Sequence, residues 1–203
     1  MSRVKRLLVI THVPHYRSDG ELHAYGPYVR EINVWCDLFP QVTIAAPCYD
    51  QPPQGDGLAF SRDNLSVFPI AESGGETIWA KLYQLCVLPW IVARLCFAMW
   101  RADAIHVRCP GNLGLLGVAL GPIFCNKLVA KYAGQWNGFP GESRTVTLQR
   151  WLLGSRWWRG TVTVYGDWPG QRDHVVSFFT SVMTTEQIQR AKEIAARPKP
   201  PEP

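Results

Sequence analysis

Short runs of consecutive apolar residues alternate along this chain with stretches in which apolar residues recur every three or four positions. The runs are 4–11 (VKRLLVIT), 41–47 (QVTIAAP), 65–70 (LSVFPI), 104–108 (AIHVR), 127–133 (KLVAKYA), 161–166 (TVTVYG) and 174–179 (HVVSFF). Each predicts a strand apolar on both faces, and such strands are buried on both sides. Helices are predicted between them. One carries Leu22, Tyr25, Val29, Ile32, Cys36 and Phe39 at helical spacing, one starts near residue 111, one lies around 145–158, and a last one spans 184–196. Residues 12–20 (HVPHYRSDG) read as a polar loop, and 48–64 as a Pro/Gly-rich loop with room for a short strand.

Residues 77–100 (TIWAKLYQLCVLPWIVARLCFAMW) are the most apolar segment. Their length raises the question of a membrane span. Lys81, Gln84, Pro89 and Arg94 interrupt it, so two consecutive buried helices broken near Pro89 are predicted instead. Strand, helix, strand in repetition gives an α/β fold, a Rossmann-like open and mostly parallel sheet with helices on both faces. The domain is expected to fill residues 1–196, with the Pro-rich 197–203 (RPKPPEP) as an interdomain linker or tail.

Ligands of such sheets bind outside the carboxyl ends of the strands, where loops enter helix N-termini. Three loops are expected to meet there. The first holds His12, His15, Tyr16, Arg17 and Tyr25, a polar and aromatic set suited to a substrate with many hydroxyls. The second is Arg108-Cys109-Pro110-Gly111-Asn112, a tight turn with a cation before a helix. The third follows Lys131 and carries Gln135, Trp136 and Asn137, amides beside a flat ring. Gly111, Gly114 and Gly117 leave one helix face nearly bare, for close packing on the sheet or for a ligand. GNLGLLG is not GxGxxG, and no acidic residue stands about 20 positions later, so a dinucleotide-binding oxidoreductase is not supported.

A net charge of +5 suits an anionic ligand or an acidic membrane face, yet the cations are too scattered for nucleic acid. The six cysteines show no zinc-ligand spacing and read as reduced, buried thiols in a cytoplasmic protein. No metal ligand set is evident. The apolar stretch at the N-terminus is too short for a signal peptide. Arg150, Trp151, Arg156, Trp157, Trp158 and Arg159 interleave cations with indoles. They fit either a peripheral contact with the inner membrane face or a half-buried helix with snorkelling arginines.

With these features assembled, the chain resembles the amino-terminal, acceptor-side domain of a group 1 (family 4-type) GT-B glycosyltransferase. The resemblance rests on YGPYVREINVW, ADAIHVRCPGNLGLLG, NKLVAKYAGQW, TVTVYGDWPGQ and VVSFFTSVMTTEQI. It implies that this domain holds a sugar or lipid-linked acceptor, and that a nucleotide sugar is bound by a second, donor-binding domain in cis or in trans. It implies a metal-independent reaction, no cofactor on this domain alone, and no catalysis by this chain in isolation. Many members carry a histidine after the strand that reads LVAKYAGQW here, where this chain has Ala133 and Gly134, so no catalytic residue is transferred. A non-catalytic subunit that partners a separate glycosyltransferase chain is the alternative expectation.

Overall fold

The computed structural model describes residues 4–53, 55–71, 78–178 and 185–195. Its elements follow in chain order. The first part comprises β1 (Arg6–Ile10), β2 (His15–Ser18), β3 (Glu21–Tyr25), α1 (Gly26–Leu38), β4 (Gln41–Ala46), β5 (Cys48–Tyr49), β6 (Gly57–Ala59) and β7 (Leu65–Pro69). The second comprises α2 (Ile78–Trp100), β8 (Ala104–Cys109), α3 (Asn112–Phe124), β9 (Leu128–Tyr132), α4 (Arg144–Gly154), β10 (Thr161–Val164), β11 (Val175–Ser177) and α5 (Thr185–Ala195).

The apolar-through strands form one seven-stranded sheet in the order β11-β10-β9-β8-β1-β4-β7, and every pair in it is parallel. This is the α/β, Rossmann-like architecture that the strand composition predicts. Alternate side chains split the core in two. Leu8, Ile10, Ile105, Val107 and Ala130 pack with Ile91 and Leu95 of α2, Leu113 and Val118 of α3, and Leu153 of α4. Leu7, Val9, Val42 and Ile44 pack with Tyr28, Val29 and Ile32 of α1 on the opposite face. The sheet runs outward from β1 in both directions, through β4 to β7 and through β8 to β11. Its switch point therefore lies between β1 and β8, where crevices of open α/β sheets form.

Four expectations are corrected. Residues 15–25 are a hairpin rather than a loop and the first turns of a helix. Asp19 and Gly20 at its tip have φ of 54° and 79°, the left-handed pair of a two-residue turn, and α1 starts only at Gly26 with Pro27 in its first turn. The hairpin builds a second sheet, β5-β2-β3-β6, above the carboxyl ends of β1 and β4. Residues 78–100 form a single helix that runs through exposed Pro89 rather than two helices broken there. α4 ends at Gly154, so Trp157 and Trp158 lie in the loop beyond it. All six cysteines are free thiols, but only Cys36 and Cys109 are buried. The expected tail at 197–203 lies outside the described residues.

Candidate functional site

β1 and β8 release their chains side by side at the switch point. After β8, Cys109 is joined to Pro110 by a cis peptide bond, and Gly111 then caps α3 without any side-chain hydrogen bond. Gly111 has φ of 153°, which L side chains rarely adopt, and a Cβ there would lie 2.8 Å from Nδ1 of His12. Glycine is thus required twice, for backbone conformation and for the approach of the β1 loop. The other two glycines of the run serve packing: a Cβ on Gly114 would meet the Arg108 carbonyl oxygen at 2.5 Å, and one on Gly117 the Val107 side chain at 2.9 Å. Gln149 of α4, fully buried, fixes the turn. Its Oε1 accepts from the Gly111 N–H at 3.2 Å, and its Nε2 donates to Cys109 Sγ at 3.1 Å. Gly111→Ala is expected to cost about 1–3 kcal/mol and to displace His12, read as a lowered Tm and a shifted His12 ring signal in NMR.

Next to this turn sits an ion trio. Arg108 of β8 and Lys131 of β9 are register partners, so parallel pairing alone puts two cations side by side. Glu31 of α1 reaches across the sheet end between them, its Oε1 2.8 Å from Arg108 Nη1 and its Oε2 accepting from Lys131 Nζ at 2.8 Å. No side chain of the trio is more than 14% exposed. Burial alone would raise the Glu31 carboxyl, but Arg108 and Lys131 outweigh it and hold it below the ordinary glutamate range. The Arg108 guanidinium also lies 4.9 Å from the ring centre of buried Tyr28, and Lys131 Nζ lies 5.4 Å from that of Phe178. Two cations on one carboxylate leave a formal charge of +1 behind the turn. Partial burial and then Arg108 lower the His12 pKa, so its imidazole is neutral at pH 7. A neutral imidazole both donates to and accepts from a hydroxyl.

The structure brings His12, Arg108, Gly111, Asn112 and Lys131 to one place. The third loop joins them: Ala133 N–H donates to the Cys109 carbonyl at 2.7 Å, and a Cβ on Gly134 would touch Pro110 at 3.4 Å. Beyond it Gln135 and Asn137 are exposed, while Trp136 stands edge-on to Tyr132 with ring centres 5.3 Å apart. The hairpin residues separate from this group. His15 is fully buried, stacked on Phe60 and edge-on to Tyr28, with Nδ1 2.9 Å from the Val13 carbonyl oxygen. Burial pulls its pKa down to about 4. It is a core residue, which corrects its assignment to acceptor binding. Tyr16 packs on Tyr49, Arg17 lies 3.7 Å from Asp50, and Tyr25 is exposed ahead of α1, all on the small sheet.

The 150–159 segment also divides. Trp158 is 2% exposed and belongs to the core, and Arg150 forms a two-pronged ion pair with Glu142, so neither is placed to meet a membrane. Trp151, Arg156, Trp157 and Arg159 are exposed. Sequence reasoning missed Glu31, Tyr28 and Gln149. Glu31 falls three residues after Tyr28 and four before Trp35, a polar residue on the inward stripe of α1, and that position was the available signal. A concavity of about 500 Å³ beside Leu7, Trp35, Leu38 and His106 is apolar and lies toward the amino ends of the strands, away from these groups. No described helix is long and apolar enough to cross a membrane. No known family model matches the chain, and no curated protein matches it.

Proposed function

We propose that this chain is the acceptor-binding half of a nucleotide-sugar-dependent glycosyltransferase. One observation carries the reading: three strand-end loops meet at the switch point of a parallel sheet, around a neutral imidazole and two cations clamped by Glu31. Such a place suits a polyhydroxyl ligand. His12 exchanges hydrogen bonds with an acceptor hydroxyl, Gln135 and Asn137 offer amides, and the exposed part of the Trp136 ring offers a flat apolar surface. Glu31 keeps Arg108 and Lys131 fixed, so their positive field is present before any ligand arrives. The resemblance to group 1 transferases supplies the rest. A second Rossmann-like domain, in cis or in trans, presents the sugar nucleotide across the cleft. The acceptor oxygen then bonds to the anomeric carbon while the bond to the nucleotide's diphosphate breaks, the diphosphate leaving with the bonding pair and taking up the hydroxyl proton directly or through solvent.

The test is ligand-observed NMR of the 203-residue chain against neutral and phosphorylated sugars of the acceptor type, alongside sugar nucleotides. Saturation transfer to at least one acceptor is expected. That transfer should fall about tenfold in His12→Ala, whose side chain is exposed, because one or two hydrogen bonds are lost. Sugar nucleotides should not be turned over. Turnover by this chain alone, or an affinity for sugar nucleotides above that for every acceptor, overturns the assignment.

A further inference from the structure

We infer that the apolar concavity between α1 and the amino halves of β1, β8 and β9 is a second binding site, and that it takes a small, uncharged aromatic alcohol. His106 carries the inference. Its side chain is 2% exposed and lines the concavity, and its Nδ1 has no hydrogen-bond partner among the described residues. A buried ring nitrogen left unpaired costs stability, so it calls for a partner that the surrounding side chains do not supply. The sheet explains why there is room for one. Parallel strands are ordinarily covered on both faces. Here α1 is the one described helix in this half of the core, and Val129 of β9, the register partner of His106, is only half-buried. Trp35, His106 and Val129 lie four residues along α1 and two along each strand from Glu31, Arg108 and Lys131. The ion trio lines no part of the concavity, and so stands between it and the strand-end loops.

The lining sets the class of ligand. Leu7, Ala104 and Val129 form an apolar floor, and exposed Leu38 stands at the rim. Three rings adjoin: the centre of Trp35 lies 5.2 Å from that of His106 and 6.0 Å from that of Phe39. Such a wall suits a flat aromatic ring, and about 500 Å³ is room for a ligand of one or two rings. Lys127 is the one charged side chain in the lining, and it is exposed, so a charge carried to the floor would find no counter-ion there. Burial and then Arg108 pull the His106 pKa down to about 3, so its imidazole is neutral at pH 7. In a neutral imidazole, Nδ1 donates or accepts according to the tautomer. A hydroxyl does both and meets Nδ1 in either form, whereas a carbonyl can only accept. Water could also pair with Nδ1, but it would leave the apolar floor wetted. The inference goes beyond the acceptor reading and does not rest on it.

NMR titration of the 203-residue chain with para-propylphenol and, separately, with propylbenzene tests it, because the two probes differ only in the hydroxyl. The phenol is expected to move the Trp35 indole N–H and His106 ring signals, and to bind at least about tenfold more tightly than propylbenzene. His106→Leu keeps an apolar side chain on the floor and removes the hydrogen bond. It should bring the two affinities to within about twofold of each other, chiefly by weakening the phenol. Should His106→Leu fail to fold, the comparison of the two probes on the wild-type chain decides alone. Equal affinities for the two probes in the wild type overturn the proposal. So do signals that move at His12 and Asn112 in place of Trp35, which would put the phenol at the strand-end loops. No response to either probe, the mark of a cavity that takes up water only, overturns it as well.

Discussion

Glu31→Ala is expected to cost about 3–5 kcal/mol, because it removes the carboxylate shared by Arg108 and Lys131, of which neither is more than 14% exposed. The change is read as a lower midpoint in urea unfolding. The size follows from the geometry: Arg108 and Lys131 are held side by side by strand register, so neither can turn away to water when the carboxylate between them is gone. Glu31→Gln keeps the shape and removes only the charge, and should fall between the wild type and alanine. The same pairing makes stability depend on pH. The folded-state pKa of Glu31 lies below its ordinary 4.5, so its contribution is fully present above 4.5 and is lost as the pH falls through the depressed folded value. Between those two values the stability of Glu31→Gln should therefore decline less steeply than that of the wild type.

Trp158→Ala should cost about 3–5 kcal/mol, the range for emptying a large buried aromatic site, while Trp151→Ala stays within about 0.5 kcal/mol. The two indoles are seven residues apart in a segment whose composition suits a membrane surface. Only Trp151 faces outward; Trp158 fills the core beside Gly121 of α3 and Leu128 of β9. Urea unfolding of both variants separates the roles. Equal destabilisation by the two substitutions would contradict this division.

The large sheet was legible because its strands are apolar on both faces, a pattern that few other structures require. The hairpin was not, because His15, Tyr16, Arg17, Glu21 and His23 make a strand pair that is polar in composition. The Asp19-Gly20 pair was a sound hairpin signal, but the helical spacing that runs on from Leu22 masked it. Pro89 alone predicts a broken helix, whereas packing of Ile91, Leu95 and Met99 against the sheet carries α2 through it. Within the site, the positions of Arg108, Gly111 and Lys131 at strand ends followed from sequence. Their partners did not. Glu31 and Gln149 reach the site from helices distant in sequence, and only tertiary placement shows that one neutralises the cations and the other holds the Gly111 turn.

The order of the seven strands also has a kinetic consequence. β1 is made first and ends up near the middle of the sheet, with β4 on one side and β8 on the other. Leu7 pairs with Val42 on the first side but with Ala104 on the second, so one edge of β1 stays open until more than half of the chain has been synthesised. The hairpin of β2 and β3 closes in microseconds, whereas the central pairing must wait for a long loop to close. A nascent chain thus exposes an apolar strand edge for as long as translation takes to reach β8, the period in which a chaperone is most useful to it.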